Sequence, residues 1–178
     1  MISHLSVTEQ PPPVQSRLAD WYRDADLVDT FAAPLPSGAD NNLRAIGDAV
    51  FGQPLPGLKT LFSIRDGVTR RLGIKVADKP RSLRYDDDDD HVGIFPVLSV
   101  HDDELILGKD DRLMNLRISL FVQKGGDGLD RVLATTVVQC HNRRARAYIA
   151  LIKPFHRLLI RLSLYRAANA GFANGTIT

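Results

Sequence analysis

Two segments in the second half of the chain alternate apolar and polar side chains. The glycine-rich stretch 125–128 separates residues 113–123 from residues 131–141 and is suited to a turn. A period of two residues is that of a β-strand with one buried face and one face in water. The chain is therefore predicted to fold around an antiparallel hairpin. The apolar face of its first strand carries Met114, Leu116, Ile118, Leu120 and Val122, and the corresponding face of its second carries Val132, Ala134, Thr136, Val138 and Cys140.

Three more strands are predicted, at residues 25–33, 94–100 and 104–109. A short polar link at residues 109–112 suits a hairpin turn into the strand 113–123. Strands joined in this way form an antiparallel meander. The predicted fold class is α+β, with an antiparallel sheet wrapped around a long C-terminal helix.

Two short helices are predicted after the first strand. Ser37 and Asp40 stand three residues apart before the apolar pattern of residues 43–50, as at a capped helix N-terminus, and Gly52 follows it. Residues 58–72 repeat the helical spacing and give the second helix. Five consecutive aspartates at 86–90 repel one another and are predicted to form a solvated loop.

The long helix is predicted over residues 142–168, with Asn142 as its N-cap. It carries one apolar and one basic stripe. The apolar stripe is expected to face the sheet, and Phe155 is expected to be buried there. The apolar stripe comprises Tyr148, Ile152, Phe155, Leu159 and Leu162, and the basic stripe comprises Arg146, Lys153, Arg157 and Arg161.

The length of 178 residues suits a single domain, which is predicted at residues 21–168. Residues 1–20, with prolines at 11–13, are expected to be an extended or flexible lead-in, and residues 169–178 a frayed tail. Cys140 is the only cysteine, so no intramolecular disulfide can form. No secretory signal is apparent, and charges interrupt the most apolar stretch, residues 147–165. A soluble, cytoplasmic protein without a transmembrane segment is expected.

Charge is distributed unevenly along the chain. The totals of 23 basic and 21 acidic residues nearly cancel, but all the acids precede residue 131 and eight basic residues follow Asp130. Arg143, Arg144 and Arg146 lie at the positive end of the helix dipole, which does not favour cations. We therefore expect these arginines to form a structural ion pair with Asp111 or another acid of the hairpin. A site that binds an anion is the alternative.

Five segments carry a family resemblance: 24–31 (DADLVDTF), 95–98 (FPVL), 105–112 (LILGKDDR), 141–148 (HNRRARAY) and 153–156 (KPFH). They resemble a bacterial family known as domain of unknown function 2867, and the order of elements resembles the helix-grip arrangement of START-like and Bet v 1-like proteins. The sequence offers about five strands, fewer than larger helix-grip proteins, unless residues 77–85 supply another. The resemblance implies an apolar cavity between the sheet and the last helix.

Catalytic signals in the sequence are weak. His141 could act as an acid or base near neutral pH with Asp111 nearby, but no nucleophile is linked to it by spacing. Residues 101–104 (HDDE) are better explained as a hairpin turn than as metal ligands, since neighbours on an extended chain point apart. Residues 125–128 lack the Lys-Ser/Thr of a phosphate-binding loop. No metal, cofactor or nucleic acid is expected.

Three functions follow from these observations. The first is a module that binds a small apolar molecule or a lipid. The second is a cyclase- or hydrolase-like enzyme that uses His141, and the third is an interaction module whose basic helix docks on an acidic partner or a membrane surface; a homodimer is also compatible. The residues expected to line the cavity are Leu116, Ile118, Thr136, Val138, Tyr148, Ile152, Phe155 and Leu159, and those expected to meet an anion or partner are Arg143, Arg144, Arg146, Lys153, Arg157 and Arg161.

Overall fold

The computed structural model of the chain describes residues 6–36, 42–53, 90–126 and 129–172, together with the single positions 63, 67, 70 and 71, which are helical. Within these residues, seven antiparallel strands form a sheet in the order β1-β2-β7-β6-β5-β4-β3. A long helix, α2, and a shorter one, α1, lie against it. The bounds are β1 Thr8–Glu9, β2 Leu27–Pro34, α1 Leu43–Phe51, β3 His91–Val92, β4 Phe95–Val100, β5 Glu104–Asp110, β6 Met114–Gln123, β7 Arg131–Cys140 and α2 Arg143–Asn169, with a 3₁₀ turn at Ala19–Trp21.

The predicted α+β architecture is confirmed, and so is its central hairpin. Strands β6 and β7 pair from Met114↔Cys140 to Gln123↔Arg131 without a register shift. Strand β2 pairs with the other edge of β7, so the first long strand lies beside the last one. The short strands β1 and β3, at the two edges of the sheet, were not predicted, because two residues are too few to show a period.

The main core lies between the sheet and the two helices. Alternate residues of β6 and β7, such as Leu120 and Ala134, pack there against Ile160 and Leu164 of α2. Helix α1 approaches the sheet closely because it has a glycine at the contact: a Cβ on Gly47 would lie 2.9 Å from Leu105 Cδ2. The C-terminal half of α2, which contains Ile160 and Leu164, is therefore held against the sheet by close packing.

The opposite face of the sheet is covered, although the sequence pattern predicts that it faces water. Within the extended or flexible lead-in expected at residues 1–20, Thr8 and Glu9 form the edge strand β1, and the residues from Ser16 to Leu18 lie on this face. Leu18 is buried there with Ile106 and Val137, and Trp21 packs beside them. The guanidinium carbon of Arg117 lies 4.4 Å from the centroid of the Trp21 ring. Arg117 and Ser119 of β6 therefore lie beneath the N-terminal segment.

A buried carboxylate attaches that segment to the sheet. Glu104 Oε1 accepts hydrogen bonds of 2.5 Å from the hydroxyls of Ser16 and Ser119, and Oε2 accepts one of 2.8 Å from the Arg17 amide. The predicted turn at residues 101–104 is present, with the His101 amide donating to the Glu104 carbonyl at 2.9 Å. Glu104 itself is fully buried and structural.

Both helices have side-chain caps. The Asn142 side chain accepts a hydrogen bond of 2.9 Å from the Ala145 amide, which confirms the predicted N-cap of α2. Helix α1 is capped by Asn42, whereas the predicted capping residues Ser37 and Asp40 lie outside the described residues. At the other end of α2, the Phe172 amide donates to the Ala167 carbonyl at 2.7 Å, and the Phe172 ring is buried in the core. Residues 169–172 therefore close the helix, where a frayed tail was expected.

Parts of the prediction fall outside the described residues. These are most of the second short helix at 58–72, the strand considered at 77–85, and the first four aspartates of the acidic run. The last aspartate, Asp90, forms an ion pair with Arg44 of α1, including a hydrogen bond of 2.5 Å from Nη1 to Oδ1. Asp90 therefore connects the end of the acidic run to α1.

Candidate functional site

A pocket of about 630 Å³ lies between the N-terminal half of α2 and the sheet. Its lining is mostly apolar, with a few polar side chains from the helices and β7. The described residues that line it are Leu27, Asp48, Phe51, Gly52, Gln53, Gly93, Ile94, Phe95, Met114, Leu116, Ile118, Thr136, Val138, Tyr148, Ile149, Ile152, Lys153, His156, Leu159 and Ile160.

The pocket exists because α2 meets the sheet closely at two places and less closely between them. Near the start of the helix, the fully buried Ala145 packs against Leu27 and Val138. Near its end, Ile160 and Leu164 enter the main core. The pocket lies between these contacts and is lined by one face of the helix, at positions 148, 149, 152, 153, 156, 159 and 160. The small side chain of Ala145 thus allows the helix to approach the sheet closely. The longer side chains after it keep the helix farther from the sheet, and the pocket lies there.

The end of α1 and the turn between β3 and β4 supply another wall. The rings of Phe51 and Phe95 meet edge to face with centroids 5.4 Å apart. Gly93 adopts φ +59°, and a Cβ there would lie 2.4 Å from the Phe51 carbonyl oxygen. Only glycine combines this backbone angle with so close an approach. Glycine at position 93 therefore allows the β3–β4 turn to pack closely against α1 beside the pocket.

Seven of the eight residues expected to line a cavity do line this pocket. They are Leu116, Ile118, Thr136, Val138, Tyr148, Ile152 and Leu159. The exception is Phe155, whose predicted burial is wrong: its side chain is 45% exposed. Leu162, in the same predicted stripe, is 39% exposed. The helix has apolar residues on two faces, and the predicted stripe joined members of both, because an apolar pattern alone does not show which face meets the sheet.

The comparison with known families agrees with the sequence resemblance. The model of the family described as "Protein of unknown function (DUF2867)" matches residues 21–163, which is most of the chain. The chain belongs to the DUF2867 family. No curated protein and no solved structure matches it.

Among the polar residues that line the pocket of this DUF2867 domain, His156 has the pKa that is shifted furthest from its ordinary value. Its Nε2 atom is buried and has no hydrogen-bond partner among the described residues. Burial lowers the pKa of His156 to about 4, with a smaller contribution from the neighbouring Arg157. The imidazole is therefore neutral at pH 7, with an unused hydrogen-bonding position. Its place four residues after Ile152 on the inner face of the helix was the signal that could have identified it.

A second buried polar group, Asp29, lies next to the pocket. It is the register partner of the pocket residue Thr136 across β2 and β7. Its Oδ1 accepts a hydrogen bond of 2.7 Å from Arg157, while Oδ2 has no partner among the described residues. Burial raises the pKa of Asp29, against the opposing effect of Arg157. Arg157 also pairs with Glu9 of β1, so this arginine of the predicted docking stripe forms structural contacts.

Of the three arginines at the start of α2, Arg146 forms the expected structural ion pair, but with a different partner. Arg146 Nε donates to Asp26 Oδ1 at 2.8 Å, and Asp26 Oδ2 accepts from the Cys140 amide at 2.6 Å. A structural ion pair is thus present. The acid is Asp26 rather than Asp111, and Asp111 accepts hydrogen bonds from the Leu113 and Met114 amides in the β5–β6 turn. Arg143, Arg144, Lys153 and Arg161 are exposed.

The candidate catalytic pair lies away from the pocket in the DUF2867 domain. The exposed ring of His141 has Nε2 3.1 Å from Asn115 Oδ1 and Nδ1 3.3 Å from the Arg112 carbonyl. Neither His141 nor Asp111 is among the residues that line the pocket. Burial, with a contribution from Asp26, raises the pKa of the Cys140 thiol to about 11, so Cys140 is not a thiolate nucleophile at pH 7.

No cluster of metal-ligating side chains converges within the part of the chain that the structure describes. Among the same residues, no helix combines the length and the apolar character needed to cross a membrane.

Proposed function

We propose that the chain binds a small apolar molecule or a lipid in the pocket between α2 and the sheet. The observation that carries this proposal is the pocket itself, which has about 630 Å³ of space and a mostly apolar lining. Ligand sites for small molecules typically occupy roughly 300–1,000 Å³ and combine apolar walls with a few polar groups. The pocket is of this kind.

The lining indicates which ligands fit. Apolar walls such as Leu116, Ile118 and Ile152 favour a ligand through the area that it removes from water, at roughly 25 cal/mol per Å². His156 also lines the pocket, and its Nε2 atom is buried without a hydrogen-bond partner among the described residues. A ligand that places one hydroxyl or carbonyl group there would remove the cost of a buried, unpaired polar atom. An amphipathic molecule with a single polar group is therefore favoured.

Catalysis by His141 is the weaker hypothesis. Its ring is exposed and engaged by Asn115 and Arg112, and Asp111 is engaged in its own turn. An enzyme working with these two residues would need its substrate outside the pocket. The contacts of His141 and Asp111 do not indicate such a second site.

A titration with the fluorescent probe 1-anilinonaphthalene-8-sulfonate tests the proposal. The wild-type chain should bind the probe saturably. Leu116→Trp should weaken binding by filling the pocket from the half-buried end of β6. Val100→Trp, a change of similar size at an exposed position of β4, is the matched control and should bind as the wild type does.

The melting temperatures of both variants show whether each has folded. Equal probe binding by folded Leu116→Trp and Val100→Trp would contradict the proposal, as would the absence of saturable binding by the wild type.

A further inference from the structure

A second apolar surface runs along α2 on the side that faces away from the sheet. Five of its large side chains are 39–58% exposed and recur at intervals of four, three, four and three residues. This spacing keeps them on nearly one line, and the line is about 21 Å long at 1.5 Å per residue. We call it the outer stripe, and it consists of Leu151, Phe155, Leu158, Leu162 and Tyr165.

The outer stripe is distinct from the pocket but adjoins it. The pocket residues Ile152 and Leu159 are buried, whereas Leu151 and Leu158, one position earlier, are exposed. Contiguous exposed apolar surface of this kind usually marks an interaction site. One helix therefore presents two apolar faces, an inner one towards the pocket and an outer one without a partner among the described residues.

The charges on the helix limit what can cover the outer stripe. Helix α2 contains seven arginine or lysine residues and no acidic residue. Arg144 is exposed and lies seven residues before Leu151 on the same line, and the exposed Arg161 lies between Leu158 and Tyr165 in sequence. Pairing this helix with the same helix of a second copy would place like charges together. An anionic partner fits better.

We propose that the outer stripe docks on an anionic membrane surface. Its leucine and aromatic side chains would enter the interfacial region, while the flanking arginines would meet lipid phosphates. The choice of a membrane over an acidic protein rests on the proposed function, because an apolar ligand of the pocket would itself partition into membranes. Docking through α2 would bring the pocket to that source of ligand.

Vesicle co-sedimentation tests the docking. The chain should bind vesicles of phosphatidylcholine mixed with phosphatidylglycerol more strongly than phosphatidylcholine alone, and added salt should weaken binding. The double variant Phe155→Ser/Leu158→Ser should bind about tenfold more weakly, because it loses two exposed apolar side chains. Val100→Ser, which removes an exposed apolar side chain from β4, should bind as the wild type does.

Three results would overturn the inference. They are no vesicle binding, equal binding by the folded double variant, and a dimer in sedimentation velocity that the double variant converts to monomers without any vesicle binding. Probe binding in the pocket is measured separately, in solution. The double variant should retain it, so failure of the docking is distinguishable from failure of the proposed function.

Discussion

The guanidinium group of Arg157 donates a hydrogen bond of 2.7 Å to Oδ1 of Asp29, and this contact joins α2 to β2. Asp29 is almost wholly buried, and the same arginine also pairs with Glu9 on the edge strand β1. The guanidinium carbon of Arg157 lies 5.4 Å from the centroid of the Phe31 ring, which belongs to the main core. One side chain therefore holds the helix against two strands beside the pocket.

Replacing Arg157 by methionine should lower the free energy of unfolding by roughly 2–4 kcal/mol, because the Asp29 carboxyl group would remain buried without its cation. Urea denaturation measures the change. Arg144→Met removes an exposed arginine from the same helix and should cost less than about 0.5 kcal/mol. Equal small losses in the two variants would show that the Arg157 contacts are not structural.

His156 should make the fold less stable in acid. The pKa of His156 is lowered to about 4 in the folded chain, mainly by burial, from an ordinary 6.5. The unfolded chain therefore binds the proton more readily, and stability that is present above about pH 6.5 is lost as the pH falls towards 4. The loss from this residue should reach up to about 3 kcal/mol.

Urea denaturation at about pH 7 and about pH 4.5 measures this dependence. In His156→Gln the part due to His156 should be absent, whereas His141→Gln, which changes an exposed histidine, should keep it. An unchanged pH dependence in His156→Gln would mean that the imidazole is not buried as a neutral group.

Gly93→Ala should destabilise the chain by about 1–3 kcal/mol, because φ +59° is strained for alanine and the new Cβ would lie 2.4 Å from the Phe51 carbonyl oxygen. Thermal or urea unfolding measures this. Gly126→Ala is the control, since its Cβ would meet no atom within 4 Å. Tolerance of alanine at position 93 would contradict the close contact between the β3–β4 turn and α1.

Phe155→Ala should cost less than about 1 kcal/mol, because nearly half of the side chain is already in water. Leu164→Ala, on the buried face of the same helix, should cost about 2–5 kcal/mol. Urea denaturation of the two variants tests how α2 is rotated on the sheet. A larger loss at Phe155 than at Leu164 would show that the helix presents its other face to the core.

Local patterns in the sequence were sufficient for much of the fold. The period of two in β6 and β7 placed Leu116 and Val138 on the inner face, and the Asn142 side chain marked the start of α2. These features depend on neighbouring residues, so a single sequence contains them. Strand and helix patterns of this kind identified seven of the residues that line the pocket, but none of those that α1 and the β3–β4 turn supply.

What the sequence could not show depends on distant contacts. Glu104 is buried because Ser16 and Arg17, almost ninety residues earlier, donate to it, and Asp29 is held by Arg157, which is 128 residues away. An acidic residue in a short polar run is otherwise expected to face water. The rotation of α2 was also ambiguous, because both Ile152 and Phe155 belong to apolar patterns of helical spacing.

Methyl NMR during addition of 1-anilinonaphthalene-8-sulfonate shows whether the probe enters the pocket or meets the outer stripe. We expect the methyl signals of Ile118 and Ile152, which line the pocket, to shift saturably with the probe. The signals of Ile106, buried on the opposite face of the sheet, should not move. Shifts confined to Leu158 and Leu162 of the outer stripe, or spread equally to Ile106, would contradict a ligand site between α2 and the sheet.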